Sequence, residues 1–130
     1  MLRLSRFAWR PEASPGAIWR SALTGTIAFR EPDAGILARR ETIIEELQAL
    51  LPENALVHEA RELVPFETDA FLAYHRIPLA VCLPETTEDV AKVLRYCHDN
   101  GIPVVPRGAG TSLSGGAIGQ EDAVILGLSR

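Results

Sequence analysis

At 130 residues, with 47% apolar and 23% charged side chains, the chain suits one modest globular domain with its own core. No apolar run approaches the ~20 residues of a membrane-spanning helix. The net charge of −4 is uneven: residues 1–30 carry five arginines against Glu12, a local +4, which leaves −8 on residues 31–130. So acidic a body excludes nucleic acid as a partner, because a phosphate backbone needs a basic face.

Residues 1–33 show no hydrophobic period and are broken by Pro11, Pro15, Gly16, Gly25 and Pro32. They read as a loosely ordered extension. Its first eleven residues are Arg-rich and acid-free, a weak likeness to a transit peptide. From Asp33 to Leu51, apolar residues Ile36, Leu37, Ile43, Ile44, Leu47, Leu50 and Leu51 recur at helical spacing. Asp33 is placed to cap this helix and Pro52 to end it. Ala55 to His58 is a short strand candidate, and Glu59 to Tyr74 reads as loop with a short strand or turn. Within it, Glu67-Thr68-Asp69 reads as a hydrogen-bonded loop rather than a metal or substrate site, because no histidine ligand pattern accompanies the two carboxylates.

Ile77 to Leu83 is the next expected strand, unbroken in apolar residues as befits burial on both faces. Thr86 then opens a helix, with Asp89 at the capping-box position. Val90, Val93, Leu94 and Cys97 line one face, and Gly101 suits a left-handed C-cap. Ile102 to Val105 and Ala123 to Leu128 are two further apolar strands. Strand, helix, strand is a βαβ unit, so its strands should be parallel. The expected class is α+β with an α/β-type N-terminal lobe: a βαβ unit on a short, mostly parallel sheet. The last strand reads as an exposed one with nothing to cover its far side, an edge that invites aggregation. Cys82 and Cys97 have no metal-ligand spacing and read as two buried thiols of a reduced, cytoplasmic chain.

The richest stretch is Pro106 to Gly116, which leaves the second strand of the βαβ unit. It holds Gly108, Gly110, Gly115 and Gly116, with Thr111, Ser112 and Ser114 for hydroxyls and Arg107 for charge. Ligands of open α/β sheets bind at that strand end, and successive amides in a glycine-rich turn form an anion nest. A Rossmann fingerprint fails at its third glycine, where Leu113 stands, and no long helix follows. A P-loop fails for want of its lysine: the sole lysine is Lys92. On these residues alone, a phosphate grip and a ligand-free turn both remain open.

The run from Pro103 to Ala117 resembles the FAD-binding loop of the vanillyl-alcohol oxidase / p-cresol methylhydroxylase (PCMH-type) superfamily, most of all its glycolate oxidase D-subunit and D-lactate dehydrogenase branch. Pro65-Phe66-Glu67-Thr68-Asp69, Ala73-Tyr74, Pro78, Pro84 and the helix to Gly101 agree, so the resemblance runs from about Leu47 to Arg130. It implies that Arg107, Gly108, Ala109, Gly110, Thr111, Ser112, Ser114, Gly115 and Gly116 bind the FAD pyrophosphate, largely through backbone amides. Hydrogen bonds to a charged acceptor contribute about 1.5–3 kcal/mol each, so several amides suffice without lysine. Arg107 either meets phosphate or braces the turn through carbonyls. Thr111 stands where some branches carry a flavin-linking histidine, which implies non-covalent FAD.

The same resemblance divides the chain into a poorly ordered extension (1–33), an N-terminal helix (34–53) and an incomplete PCMH-type FAD-binding domain (54–130). It implies the FAD-binding N-terminal portion of a flavin-dependent 2-hydroxy-acid dehydrogenase of glycolate or D-lactate type. A 2-hydroxy-acid substrate and electron-acceptor subunits belong to the complete enzyme. The chain is expected in the cytoplasm and membrane-peripheral only through those subunits. The parts that hold the flavin ring and substrate lie further along such enzymes. No catalytic or metal residue is therefore nominated, and Tyr74 and His75 are read as loop packing. The alternatives are a truncated, non-functional fragment and a free-standing nucleotide-binding module.

Overall fold

A strand that is apolar at every position must be covered on both faces, and the central strands of this protein are. The computed structural model describes residues 29–129, so most of the 1–33 extension lies outside the described residues. The strands are β1 (Leu56–Val57), β2 (Ala80–Cys82), β3 (Val104–Arg107) and β4 (Val124–Gly127), in the order β1-β2-β4-β3. β1 runs antiparallel to β2, and β4 is parallel to both β2 and β3. Side chains alternate along each strand and so divide between the two faces. Ala80, Cys82, Val124 and Leu126 face one core cluster, whereas Val81 and Ile125 face another.

The first face is covered by three helices. They are α1 (Ala34–Ala38), α2 (Arg40–Leu50) and α4 (Thr87–Asp99), which contribute Ile36, Ile43, Leu47, Val93 and Cys97. Residues 34–51 thus share a core with the sheet. Leu37 and Leu94, both on expected apolar stripes, remain substantially exposed. The second face is covered by α3 (Ala60–Leu63) and a 3-10 turn (Val64–Phe66), with Leu63 fully buried and Phe66 packed beside it. Residues 59–74 were expected to hold a strand or turn. They begin instead with these helical turns, because Leu63 and Phe66, three residues apart, meet the sheet from one side of a helical coil.

The capping signals work as local chemistry requires. The Asp33 carboxylate accepts the amides of Gly35 and Ile36. The Thr86 hydroxyl accepts the Asp89 amide. At the end of α4, Gly101 takes φ +67°, its amide bonds the His98 carbonyl, and the Ile102 amide bonds the Cys97 carbonyl at 2.8 Å. Those two bonds make a Schellman stop that turns the chain into β3.

Two expectations are corrected. The single helix from Asp33 to Leu51 breaks at Arg39, whose amide bonds the Ile36 carbonyl in a tighter turn. The break lets Ile36 and the Ile43/Leu47 stripe both reach the core while the Asp33 amide stays tied to the Asp122 carboxylate at 2.7 Å. The last strand is not an exposed edge. β4 lies inside the sheet, hydrogen-bonded to β2 on one side and β3 on the other. Its four residues are all buried, and the aggregation argument built on it falls. Cys82 and Cys97 are free and buried. Burial, and for Cys82 also the neighbouring Cys97, pushes the two thiols up to about 12 and about 11 respectively.

Because Leu47 is fully buried in the cluster shared by α2 and the sheet, Leu47→Ala is expected to cost about 2–5 kcal/mol. Urea unfolding followed by both circular dichroism and tryptophan-independent amide signals should show one shifted transition. Two separate transitions would mean that α2 and the sheet do not fold as one unit.

Candidate cofactor site

The glycine-rich loop starts where β3 ends, at the C-terminal edge of the parallel strands. Its start is fixed by the last sheet bond, from the Leu128 amide to the Arg107 carbonyl at 2.8 Å. Its end is fixed by Ala117, Ile118 and Gly119, all buried. Between these points Gly108, Ala109, Thr111, Ser114 and Gly116 are exposed, and Gly110, Ser112 and Gly115 are half-buried. The nine candidate residues therefore lie on one loop at one end of the sheet.

Arg107 belongs to the sheet face of Val105, two residues before it, and that face is the one covered by Phe66. Its guanidinium lies 5.7 Å from the Phe66 ring centre. Nη1 donates to the carbonyls of Thr68 at 2.8 Å and Ala117 at 3.0 Å. Of the two roles left open for this side chain, the geometry displays the brace. The guanidinium also lies directly beneath Gly110. A Cβ added there would run into the guanidinium, and the residue takes φ +72°, so the backbone favours glycine and any side chain would push the Arg107 head aside.

A second anchor was not legible in the sequence. Asp69 is 4% exposed. One carboxylate oxygen accepts the Phe71 amide at 2.9 Å, and the other accepts the Ala117 amide at 3.4 Å. Burial pushes its carboxyl up. The Phe71 and Ala117 amides, the Ser112 hydroxyl and Arg107 outweigh that and hold it below its ordinary 3.8. Ser112 adds bonds within the loop: its Oγ accepts the amides of Gly116 at 3.2 Å and Ser114 at 3.4 Å. The Ile118 amide bonds the Gly115 carbonyl.

The second half of the loop is thus internally bonded, and the first half is not. Among the described residues, the amides of Gly108 through Leu113 have no hydrogen-bond acceptor. No atom comes within 4 Å of a Cβ built at Gly108, so the loop is uncrowded at its start. A run of unbonded N–H groups in a largely exposed loop fits a diphosphate. The other polar groups nearby are engaged within their own segment. The Tyr74 ring packs on Phe71 at 5.4 Å, and His75 Nδ1 lies 3.1 Å from the Glu67 carboxylate. His58 pairs with Gln48 elsewhere, and His98 is exposed on α4. Among the described residues, no group of three or more His, Cys, Asp or Glu is arranged to hold a metal.

Residues 78–130 match a family model described as FAD binding domain. The crystal structure of p-cresol methylhydroxylase with substrate bound superposes with a TM-score of 0.58, covering 75% of this chain and 19% of that one at 24% identity. Residues 78–130 carry the pattern of an FAD binding domain, on a fold shared with that methylhydroxylase. The chain is 41% identical over 91 residues to glycolate oxidase subunit GlcD of Escherichia coli (strain K12), covering 70% of this chain and 18% of that protein. It is 36% identical over 83 residues to D-lactate dehydrogenase [cytochrome] 1, mitochondrial, of Saccharomyces cerevisiae, covering 58% of this chain and 14% of that protein. The chain spans less than a fifth of the length of these relatives. FAD is the cofactor that the FAD-binding region serves.

Since the Asp69 carboxyl is held below 3.8 in the folded chain, its contribution to stability is fully present above that value. It is lost as pH falls through the lower, folded-state value. The stability difference between wild type and Asp69→Asn should therefore be constant between about pH 5 and 7 and narrow below about pH 4. Urea midpoints across that range measure it; a difference that stays constant into the acid range would contradict the assignment.

Proposed function

We propose that this chain supplies the pyrophosphate grip of a flavin-dependent 2-hydroxy-acid dehydrogenase of glycolate or D-lactate type. The observation that carries the reading is the run of acceptor-free amides from Gly108 to Leu113, held open at the C-terminal end of β3. The nine loop residues act in three ways. Gly108, Ala109, Gly110, Thr111 and Ser112 present amides to the two phosphates. Ser112, Ser114, Gly115 and Gly116 shape the far half of the loop. Arg107 braces it from beneath and adds positive potential. Bound FAD would take up the hydride released from the α-carbon of the hydroxy acid, and the protein's part in that chemistry is positioning and electrostatics.

The names of the relatives support the substrate class: one is a glycolate oxidase subunit, another a D-lactate dehydrogenase. FAD is held non-covalently, since Thr111 has no nucleophilic ring nitrogen to form a histidyl link. Within the whole enzyme, residues 54–130 serve the FAD domain, residues 34–53 support its sheet, and residues 1–33 are an extension. The flavin ring, the hydroxy acid and electron-acceptor subunits meet other parts of it. The enzyme works in the cytoplasm and meets a membrane only through its partner subunits. Two free thiols agree with a reducing compartment, and among the described residues no helix is long and apolar enough to cross a membrane.

A chain that grips only the diphosphate binds FAD weakly, with a dissociation constant expected at about 0.1–1 mM or higher. Titration of the isotopically labelled chain with FAD, followed by amide NMR, should move Gly108–Leu113 first and reverse on dilution. An unmoved loop at millimolar FAD would overturn the reading. Micromolar affinity would overturn the division of labour between this loop and the rest of the enzyme.

A further inference from the structure

The loop that meets phosphate is shaped from about forty residues upstream. We propose that Asp69 is a positioning residue for FAD, acting through Ser112 and the Ala117 amide without touching the cofactor. The proposal rests on the pyrophosphate-grip reading and deepens it. Asp69 is nearly inaccessible to solvent, so its charge is not there for solubility. It accepts from both sides of a junction, the Phe71 amide of its own segment and the Ala117 amide of the loop, and the loop's Ser112 hydroxyl favours its charged form. Ser112 in turn accepts the Ser114 and Gly116 amides.

This chain of bonds does two things to the anion nest. It ties up the amides of Ser114, Gly116 and Ala117, which removes three donors from competition and leaves Gly108–Leu113 as the loop's acceptor-free donors among the described residues. It also sets the hand of the second half of the loop, so the first half need not order itself when phosphate arrives. Arg107 completes the junction from the opposite charge side. Its Nη1 bridges the Thr68 carbonyl, next to Asp69, and the Ala117 carbonyl, whose residue's amide Asp69 holds. Ala117 is thus gripped at both its N–H and its C=O by groups that the 64–71 segment and β3 provide. An acid is required at position 69. Asn can keep the Phe71 bond through its one oxygen, but its NH₂ then faces the Ala117 N–H, donor against donor.

The test compares FAD titrations by amide NMR of the full chain with those of Asp69→Asn, Ser112→Ala, Ser112→Thr and the Asp69→Asn/Ser112→Ala double variant. Amide shifts of β2, β3 and β4 report that the sheet is intact. With the sheet intact, Asp69→Asn and Ser112→Ala are each expected to weaken FAD binding about tenfold. Ser112→Thr, which keeps the hydroxyl, restores affinity, and the double variant is no worse than Asp69→Asn alone. That non-additivity is a readout that general destabilisation does not produce. If Asp69→Asn binds FAD as the wild type does, the positioning role is overturned and the pyrophosphate grip stands. A silent wild-type loop overturns both. Should Asp69→Asn unfold, Ser112→Ala decides: unchanged affinity overturns the proposal, and loss reversed by Ser112→Thr sustains it.

Discussion

The structure turns on the two bonds that one arginine makes to two carbonyls. Arg107 ends the strand that carries the glycine loop, and its guanidinium joins Thr68 to Ala117. Charged donors on carbonyl acceptors contribute about 1.5–3 kcal/mol each. Their larger effect is geometric, because a planar guanidinium fixes the directions of its donors. The loop cannot collapse onto the sheet end while that plane lies beneath Gly110, and it cannot swing away while Ala117 is held. Glycine at 110 is the consequence: any side chain there would displace the brace.

The brace exists only because the sheet is covered twice. Helices α1, α2 and α4 take the face of Ala80, Cys82, Val124 and Leu126. The opposite face, that of Val81 and Ile125, is closed by the short helical stretch from Ala60 to Phe66. That stretch delivers Phe66 to the guanidinium and sets Thr68 and Asp69 against the loop. Packing on one face of a sheet thus becomes positioning at its end. A segment that looks like a connector between β1 and β2 serves as the floor of the cofactor loop.

Much of this was legible in the residues. The caps at Thr86 and Gly101 are local chemistry, as are the apolar strands and the glycine loop at a strand end, and local chemistry is what a sequence displays. The family motif around Gly108-Ala109-Gly110 named the ligand. What escaped depends on contacts between distant positions. The bond from Asp69 to the Ala117 amide spans 48 residues, and nothing in Glu67-Thr68-Asp69 announces a partner so far away. The position of β4 between β2 and β3 depends on the crossover, so a strand that reads as terminal and exposed proved to be central. The break at Arg39 goes with the tie of Asp33 to Asp122, again a pairing that no helical period reveals. Arg107 was legible as a charge at the loop, and only its sheet face decided what its charge touches.

The loop is already shaped, with one half bonded internally and the amides of the other left without acceptors among the described residues. Amide hydrogen exchange of the cofactor-free chain tests it directly. Gly116, Ala117 and Ile118 are expected to be protected, while Gly108 through Leu113 exchange at nearly the open-chain rate. Uniform fast exchange from Gly108 to Ile118, or protection spread evenly along the loop, would contradict the claim.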